Sequence, residues 1–167
     1  MLRYGTRISV DFDFFGPRPL DKEKLRAVLP IIANGKVLQD EADTLTLIVR
    51  GVKLSFFGVG IATLEPPELT DDGVILVASP LDLLANKLKA ILQRAEAKDY
   101  YDIAALLNNG ISLSNGLAGA RTLFGQSFQV AEALKALTYF GDGDLASVDM
   151  PTRTLLRNAV DEIRSLF

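Results

Sequence analysis

The chain has 167 residues, of which 49% are hydrophobic and 23% charged, so it can bury one sizeable core but is too short for two ordinary domains. Its 18 basic and 21 acidic residues give a net charge of -3, which excludes the strongly basic balance of a non-specific nucleic-acid binder. Cysteine and histidine are both absent, and this excludes disulfides, thiolate nucleophiles, histidine acid–base chemistry and the usual zinc sites. Any chemistry must therefore use carboxylates, lysine, arginine, hydroxyls or a hard metal ion.

The first predicted element is a strand over residues 7–15. Apolar and polar residues alternate strictly there, which is typical of a half-buried strand. One parity carries Ile8, Val10, Phe12 and Phe14, and the other carries Arg7, Ser9, Asp11 and Asp13. The pattern predicts a polar, acidic sheet face.

The remaining elements predict an α/β (α+β) fold, with a mixed sheet and flanking helices followed by a helical part. A helix is expected over 21–33, where Pro30 must bend or shorten it. The β-rich middle predicts strands over 45–50, 52–57 and 74–78, with Gly51 as a tight connection. Helices are predicted over 80–97, 100–107, 128–140 and 152–167. The chain thus divides into an α/β half, 1–78, and a helical half, 79–167, that completes the active site.

Asp11 and Asp13 stand two residues apart on one predicted strand, so their carboxylates share a face with Cα atoms about 7 Å apart. A divalent cation would turn the repulsion of two such charges into coordination, and Mg²⁺ prefers a couple of carboxylates completed by water and phosphates. The alternative is an ordinary solvent-facing strand surface. Aspartate is a poor strand former, which favours a functional reason for the pair.

A second group of charges follows in the helical half. On a continuous helix, Lys87, Arg94 and Lys98 would lie within about 40° of one another. Few acids are nearby, so part of this row is expected to be available to an anion. Asp99 and Asp102 would share a face, and one of them could ligate metal or accept a proton from an attacking hydroxyl. Helix capping and intrahelical salt bridging are the alternative.

Three segments together resemble the AbiEii/AbiGii toxin family of nucleotidyltransferases. They occur in family order and are RISVDFDFF at 7–15, SPLDLLANKLKA at 79–90 and RAEAKDYYD at 94–102. The resemblance implies a polymerase-β-like nucleotidyltransferase fold and a bacterial toxin of a toxin–antitoxin or phage-defence system. It further implies a nucleoside triphosphate bound with Mg²⁺ or Mn²⁺, an acceptor such as tRNA or another RNA, and a cognate antitoxin.

The resemblance also implies roles for individual residues. Asp11 and Asp13 would be the metal ligands, Lys87 the contact to the triphosphate and Asp99 the third acidic residue. Four residues would support the nucleotide pocket, namely Arg7, Ser9, Arg94 and Lys98. Neither a leader segment nor a membrane span is evident, so a cytoplasmic location is expected.

One departure from the family pattern concerns a small-residue Gly-Gly-Ser/Thr motif expected upstream of the first strand, where backbone amides cradle phosphates. No such motif precedes Arg7. Either the protein begins further upstream, or it is a truncated relative that binds triphosphate poorly and acts as a binding or regulatory module. A metal-dependent nuclease is a third reading.

Overall fold

The computed structural model describes residues 11–165. These residues form two compact units, one within residues 11–62 and the other comprising residues 63–165. We call them the sheet unit and the helical unit. The sequence predicts a division between residues 78 and 79, with the helical half completing the active site. That functional division stays a prediction, because the two compact units are defined by contacts alone. By contacts alone, the segment from Thr63 to Ser79 belongs with the helices.

The sheet unit contains four strands in the order β1-β4-β3-β2, in which β1 runs parallel to β4 and the other neighbours are antiparallel. A helix and a 3-10 turn lie between the first two strands. The elements are β1 Asp11–Phe15, α1 Lys22–Val28, the 3-10 turn Pro30–Ile32, β2 Lys36–Glu41, β3 Thr44–Val49 and β4 Val52–Phe57.

Alternation in the strands produces the core of the sheet unit. Phe14 stacks on Phe56 with ring centroids 5.1 Å apart. Around them, one face of the sheet buries apolar side chains against α1 and the 3-10 turn, namely Ile32, Leu45, Leu47, Val49 and Phe56. The opposite face is therefore left for the polar positions of β1, β3 and β4.

Three local predictions for the sheet unit are confirmed. Residues 11–15 form a strand, whereas 7–10 lie outside the described residues. Helix α1 ends at Val28, before Pro30. Gly51 and Arg50 form the two-residue connection of the β3–β4 hairpin, both with positive φ (83° and 51°), as a mirror-image turn requires.

Strand β2 was not predicted. Its sequence, KVLQDE, lacks alternation, and all six residues are exposed. Pairing with β3 holds it in the sheet, and a register shift interrupts that pairing between Val37 and Gln39. Because β2 is stabilised by pairing with β3, its own sequence has no pattern from which a strand could be predicted.

The helical unit begins with a small hairpin and continues with five helices. Its elements are β5 Glu68–Leu69, β6 Leu76–Val77, α2 Pro80–Ala90, α3 Ala97–Asn108, α4 Leu113–Phe124, α5 Val130–Thr138 and α6 Met150–Arg164. Leucines, alanines and aromatic residues of these helices form a second core. No helix among residues 11–165 is both long and apolar enough to cross a membrane.

The predicted boundaries around α2 and α3 were wrong in a way that matters for the site. Ser79 caps α2, as its hydroxyl accepts from the Asp82 amide at 3.0 Å. The helix ends at Ala90 instead of continuing to 97, and α3 begins at Ala97. Asp144 fixes that start by accepting from the Ala97 amide at 2.6 Å. Residues 91–96 therefore form a turn.

Helix α4 was missed because its glycines, serine and asparagine have low helix propensity. Gly116 is buried where a Cβ atom would lie 2.4 Å from Leu84 Cδ2. The small residues thus allow α4 to approach α2 closely. Packing, which is invisible to local propensity, stabilises this helix.

Candidate active site

The predicted metal ligands lie on β1 in the sheet unit. Asp11 and Asp13 occupy alternate positions of the strand, so both side chains lie on the face opposite the apolar core. Asp13 is exposed and Asp11 is half-buried. The predicted acidic face is therefore present, and two carboxylates on one face suit the coordination that Mg²⁺ accepts together with water and phosphates.

Strand β4 adds polar residues to this face that the sequence analysis did not single out. Lys53 aligns with Asp11 and Ser55 aligns with Asp13, and Ser55 in turn aligns with Thr46 of β3. Lys53 is exposed, whereas Ser55 and Thr46 are buried. The sequence does show that Lys53 and Ser55 alternate with Val52, Leu54 and Phe56, which predicts that the two polar side chains share a face of β4. Only the structure shows that β4 pairs with β1, so that this face is continuous with the acidic one.

An aromatic pair continues the acidic face toward the end of the strand. Phe15 follows Asp13 on the same parity and stacks on Phe57, with ring centroids 4.9 Å apart. Phe15 is 48% exposed. The face therefore passes from carboxylates to an accessible aromatic surface within five residues.

The second part of the predicted site belongs to the helical unit and is built around Asp99. This carboxylate is fully buried in the first turn of α3. Lys87 of α2 donates to Asp99 Oδ1 at 2.8 Å and also lies 2.7 Å from Asp102 Oδ2. An ammonium has three N–H donors, so these two acids leave one donor for another acceptor. The Lys87 side chain is 22% exposed, which gives that donor access to solvent.

Arg94 binds the same carboxylate from the turn between α2 and α3. Its Nε donates to Asp99 Oδ2 at 2.8 Å and its Nη2 donates to Oδ1 at 3.2 Å. Two such parallel bonds from a planar guanidinium are the strong form of this interaction. Lys98 pairs with Glu96 at 2.8 Å.

These contacts correct the prediction of a basic row on one continuous helix. Lys87, Arg94 and Lys98 come from α2, the following turn and α3, and each is paired with an acid of the same unit. Each cation of the row therefore has an acidic partner, and the availability of part of the row to an anion stays a prediction. Because residues 91–96 form a turn, Arg94 lies outside both helices and its guanidinium can reach Asp99. On an uninterrupted helix the side chains of Arg94 and Asp99 would point in different directions.

The pKa of Asp99 bears on its predicted part in proton transfer. Burial alone would raise the pKa, but hydrogen bonds from Arg94 and Lys87, together with their charges, outweigh burial and hold it below its usual value. An effective general base has a pKa near the working pH and can reach the proton it takes. A buried carboxylate with a lowered pKa suits the task of holding Lys87 and Arg94 in place better than the task of a base.

Arg7 and Ser9, the remaining predicted pocket residues, lie outside the described residues. Within either unit of the described chain, no three acidic side chains lie close enough together to hold a metal ion by themselves. Asp11 and Asp13 would therefore hold an ion as a pair completed by water and substrate oxygens.

The sheet unit carries two aspartates on one face of its first described strand, and the helices that follow carry a lysine paired with a buried aspartate. This α+β architecture fits a protein of the nucleotidyltransferase type. Comparison with known families assigns it further. The model of the nucleotidyl transferase AbiEii toxin family, of type IV toxin–antitoxin systems, matches residues 1–161. The chain belongs to this family, as the three sequence segments had indicated.

The chain is also similar to an uncharacterized protein of Aquifex aeolicus (strain VF5). The two are 36% identical over 109 residues, which are 64% of this chain and 53% of the relative. The matched part thus spans about half the length of that relative.

Proposed function

We propose that this protein is a metal-dependent nucleotidyltransferase and the toxin of a toxin–antitoxin system that serves in phage defence. It would transfer a nucleotide from a nucleoside triphosphate to an acceptor in the cytoplasm, with the end of tRNA or of another RNA as the leading candidate. The observation that carries the proposal is the placement of Asp11 and Asp13 on one face of β1 in a chain of this family. A cognate antitoxin would be its protein partner.

Asp11 and Asp13 would hold Mg²⁺ or Mn²⁺. When bound, such an ion neutralises charge on the triphosphate and on the oxygens of the attacking and leaving groups. Asp13 is exposed and can accept an ion without leaving its position on the strand. The accessible ring of Phe15 on the same face suits the apolar surface of a nucleobase.

Lys87 would contact the triphosphate through the N–H donor that Asp99 and Asp102 leave available. Those two acids hold the ammonium at a fixed position, so little side-chain freedom remains to be lost when an anion binds. Asp99 would act as a positioning residue for Lys87 and Arg94. Arg94 and Lys98 would be supporting members of the nucleotide pocket.

Nucleotide transfer tests the proposal directly. The protein would be incubated with α-labelled nucleoside triphosphates, Mg²⁺ and total tRNA, and label in the RNA would be measured on a gel. We expect transfer that requires Mg²⁺ and that falls by roughly 100-fold or more in Asp13→Asn, which keeps the shape of the side chain and removes its charge. Asp71→Asn, an exposed aspartate of the β5–β6 hairpin, is the matched control and should transfer normally.

Three results would count against the proposal. Transfer that persists unchanged in Asp13→Asn would remove the aspartate pair from the reaction. Degradation of the RNA without any triphosphate would indicate a nuclease. If the protein transfers none of the four nucleotides but still binds a partner protein, the binding-module alternative is favoured.

A further inference from the structure

Four polar side chains lie in register across the sheet unit. Asp13 of β1 aligns with Ser55 of β4, Ser55 aligns with Thr46 of β3, and Thr46 aligns with the exposed Gln39 of β2, whose amide donates to Glu41 Oε1 at 2.9 Å. Registered neighbours project to the same face, with Cβ atoms about 5 Å apart. Asp13, Ser55 and Thr46 therefore form one continuous line of side chains on the acidic face, which we call the polar row.

Both hydroxyls of the polar row are buried, and neither has a hydrogen-bond partner in the part of the chain that the structure describes. Ser55 is 2% exposed and Thr46 is 6% exposed. Within residues 11–165, neither side chain makes a hydrogen bond, and neither does the side chain of Asp13. A buried polar group without a partner costs free energy, and nearly all such groups in folded proteins have one. The row therefore needs an explanation beyond folding.

The strands themselves do not require these hydroxyls. Valine has nearly the shape of threonine and is likewise favoured in strands, and alanine would fill most of the space of Ser55. Either residue would avoid the cost of an unpaired buried hydroxyl. Among the described strands, the one charged neighbour in register with the two hydroxyls is Asp13, the more exposed member of the aspartate pair.

We propose that Ser55 and Thr46 are positioning residues that orient Asp13 for a divalent cation. On cation binding, the Ser55 hydroxyl donates to a carboxylate oxygen of Asp13, and the Thr46 hydroxyl donates to Ser55 Oγ. Only side-chain rotation is needed, because the backbone register already places the three residues side by side. A carboxylate that ligates metal is commonly fixed by such a hydrogen bond, and loss of the bond typically weakens metal binding by roughly 10- to 100-fold.

The inference rests on the proposed function, since it assumes that Asp13 binds a divalent cation. Measuring Mn²⁺ binding tests the role of the polar row separately from nucleotide transfer. The full chain would be titrated with Mn²⁺ alone, and free Mn²⁺ would be followed by electron paramagnetic resonance. We expect Ser55→Ala to weaken binding by roughly 10-fold or more and Thr46→Val to weaken it by a smaller factor. Ser55→Thr and Thr46→Ser keep the hydroxyl and should restore most of the affinity.

Thr44→Val is the matched control, since Thr44 lies on the same strand and face but aligns with Phe57. It should bind Mn²⁺ as the unchanged protein does. Thermal unfolding without metal gives a second readout. Ser55→Ala and Thr46→Val should leave the Tm of the metal-free protein unchanged or raise it, because they remove unpaired buried hydroxyls.

The outcomes distinguish the claims. If the unchanged protein binds Mn²⁺ and Asp13→Asn abolishes binding, but Ser55→Ala binds as tightly as the unchanged protein, the polar row has no positioning role while the proposed function stands. A lower Tm of metal-free Ser55→Ala together with unchanged affinity would make the hydroxyl a purely structural group and would also overturn the inference. Absence of Mn²⁺ binding in the unchanged protein would overturn both claims.

Discussion

Asp13 of the sheet unit is exposed and has no side-chain partner in the described chain, whereas Asp99 of the helical unit is fully buried and receives three hydrogen bonds from Lys87 and Arg94. A carboxylate in water costs the fold little, so it can remain available to a cation from outside. A buried carboxylate must be compensated by the protein itself. The comparison shows one acid that is accessible from outside and one whose charge is compensated within the fold, a difference that supports the separate roles proposed for them.

The largest expected effect comes from removing the charge of Asp99. Asp99→Asn leaves the cations of Lys87 and Arg94 with less compensation, and we expect the free energy of unfolding to fall by about 2–3 kcal/mol, since both cations are partly exposed to solvent. Urea unfolding at pH 7 measures this change. A loss below about 0.5 kcal/mol would mean that the charge of Asp99 contributes little to stability, and the proposed contrast between Asp99 and Asp13 would then be wrong.

Acid should remove the same contribution progressively. The folded pKa of Asp99 is lowered, so its contribution to stability is complete above the unfolded pKa of about 3.9 and is lost as the pH falls through the folded value. We therefore expect the stability difference between the unchanged protein and Asp99→Asn to be constant from pH 7 to about 5. It should then shrink below about pH 4. Urea midpoints of both proteins across this range provide the measurement, and a difference that grows toward acid pH would contradict the pKa direction.

The smallest expected effect on stability is that of Asp13→Asn. Its carboxylate has no partner to lose among residues 11–165 and stands on the same face as Asp11, so the free energy of unfolding should change by less than about 0.5 kcal/mol or rise slightly. The variant should nevertheless lose Mn²⁺ binding and nucleotide transfer. A large destabilisation without metal would place Asp13 in the structural class of Asp99 and would remove the contrast between the units.

Much of the candidate site could be predicted from local sequence because its elements have short-range periods. Alternation over residues 7–15 was sufficient to place Asp11 and Asp13 on one face, because successive side chains of any strand point to opposite sides. Ser79 and Pro80 defined the start of α2 through capping, and Pro30 limited α1 because it cannot donate within a helix. These consequences follow from the backbone of a few neighbouring residues.

Only the tertiary structure decided which distant residues became neighbours. Helix α4 depends on Gly116 fitting against Leu84, and strand β2 depends on pairing with β3. The convergence of Lys87 and Arg94 on Asp99 required α2 to end at Ala90 and α3 to begin at Ala97, where Asp144 accepts a hydrogen bond from the Ala97 amide. Likewise, Ser55 and Thr46 became part of the acidic face only through the register of β1, β4 and β3. Local periodicity determines to which face of a helix or strand a side chain points. The free energy gained by packing and strand pairing between distant parts of the chain determines which residues it contacts.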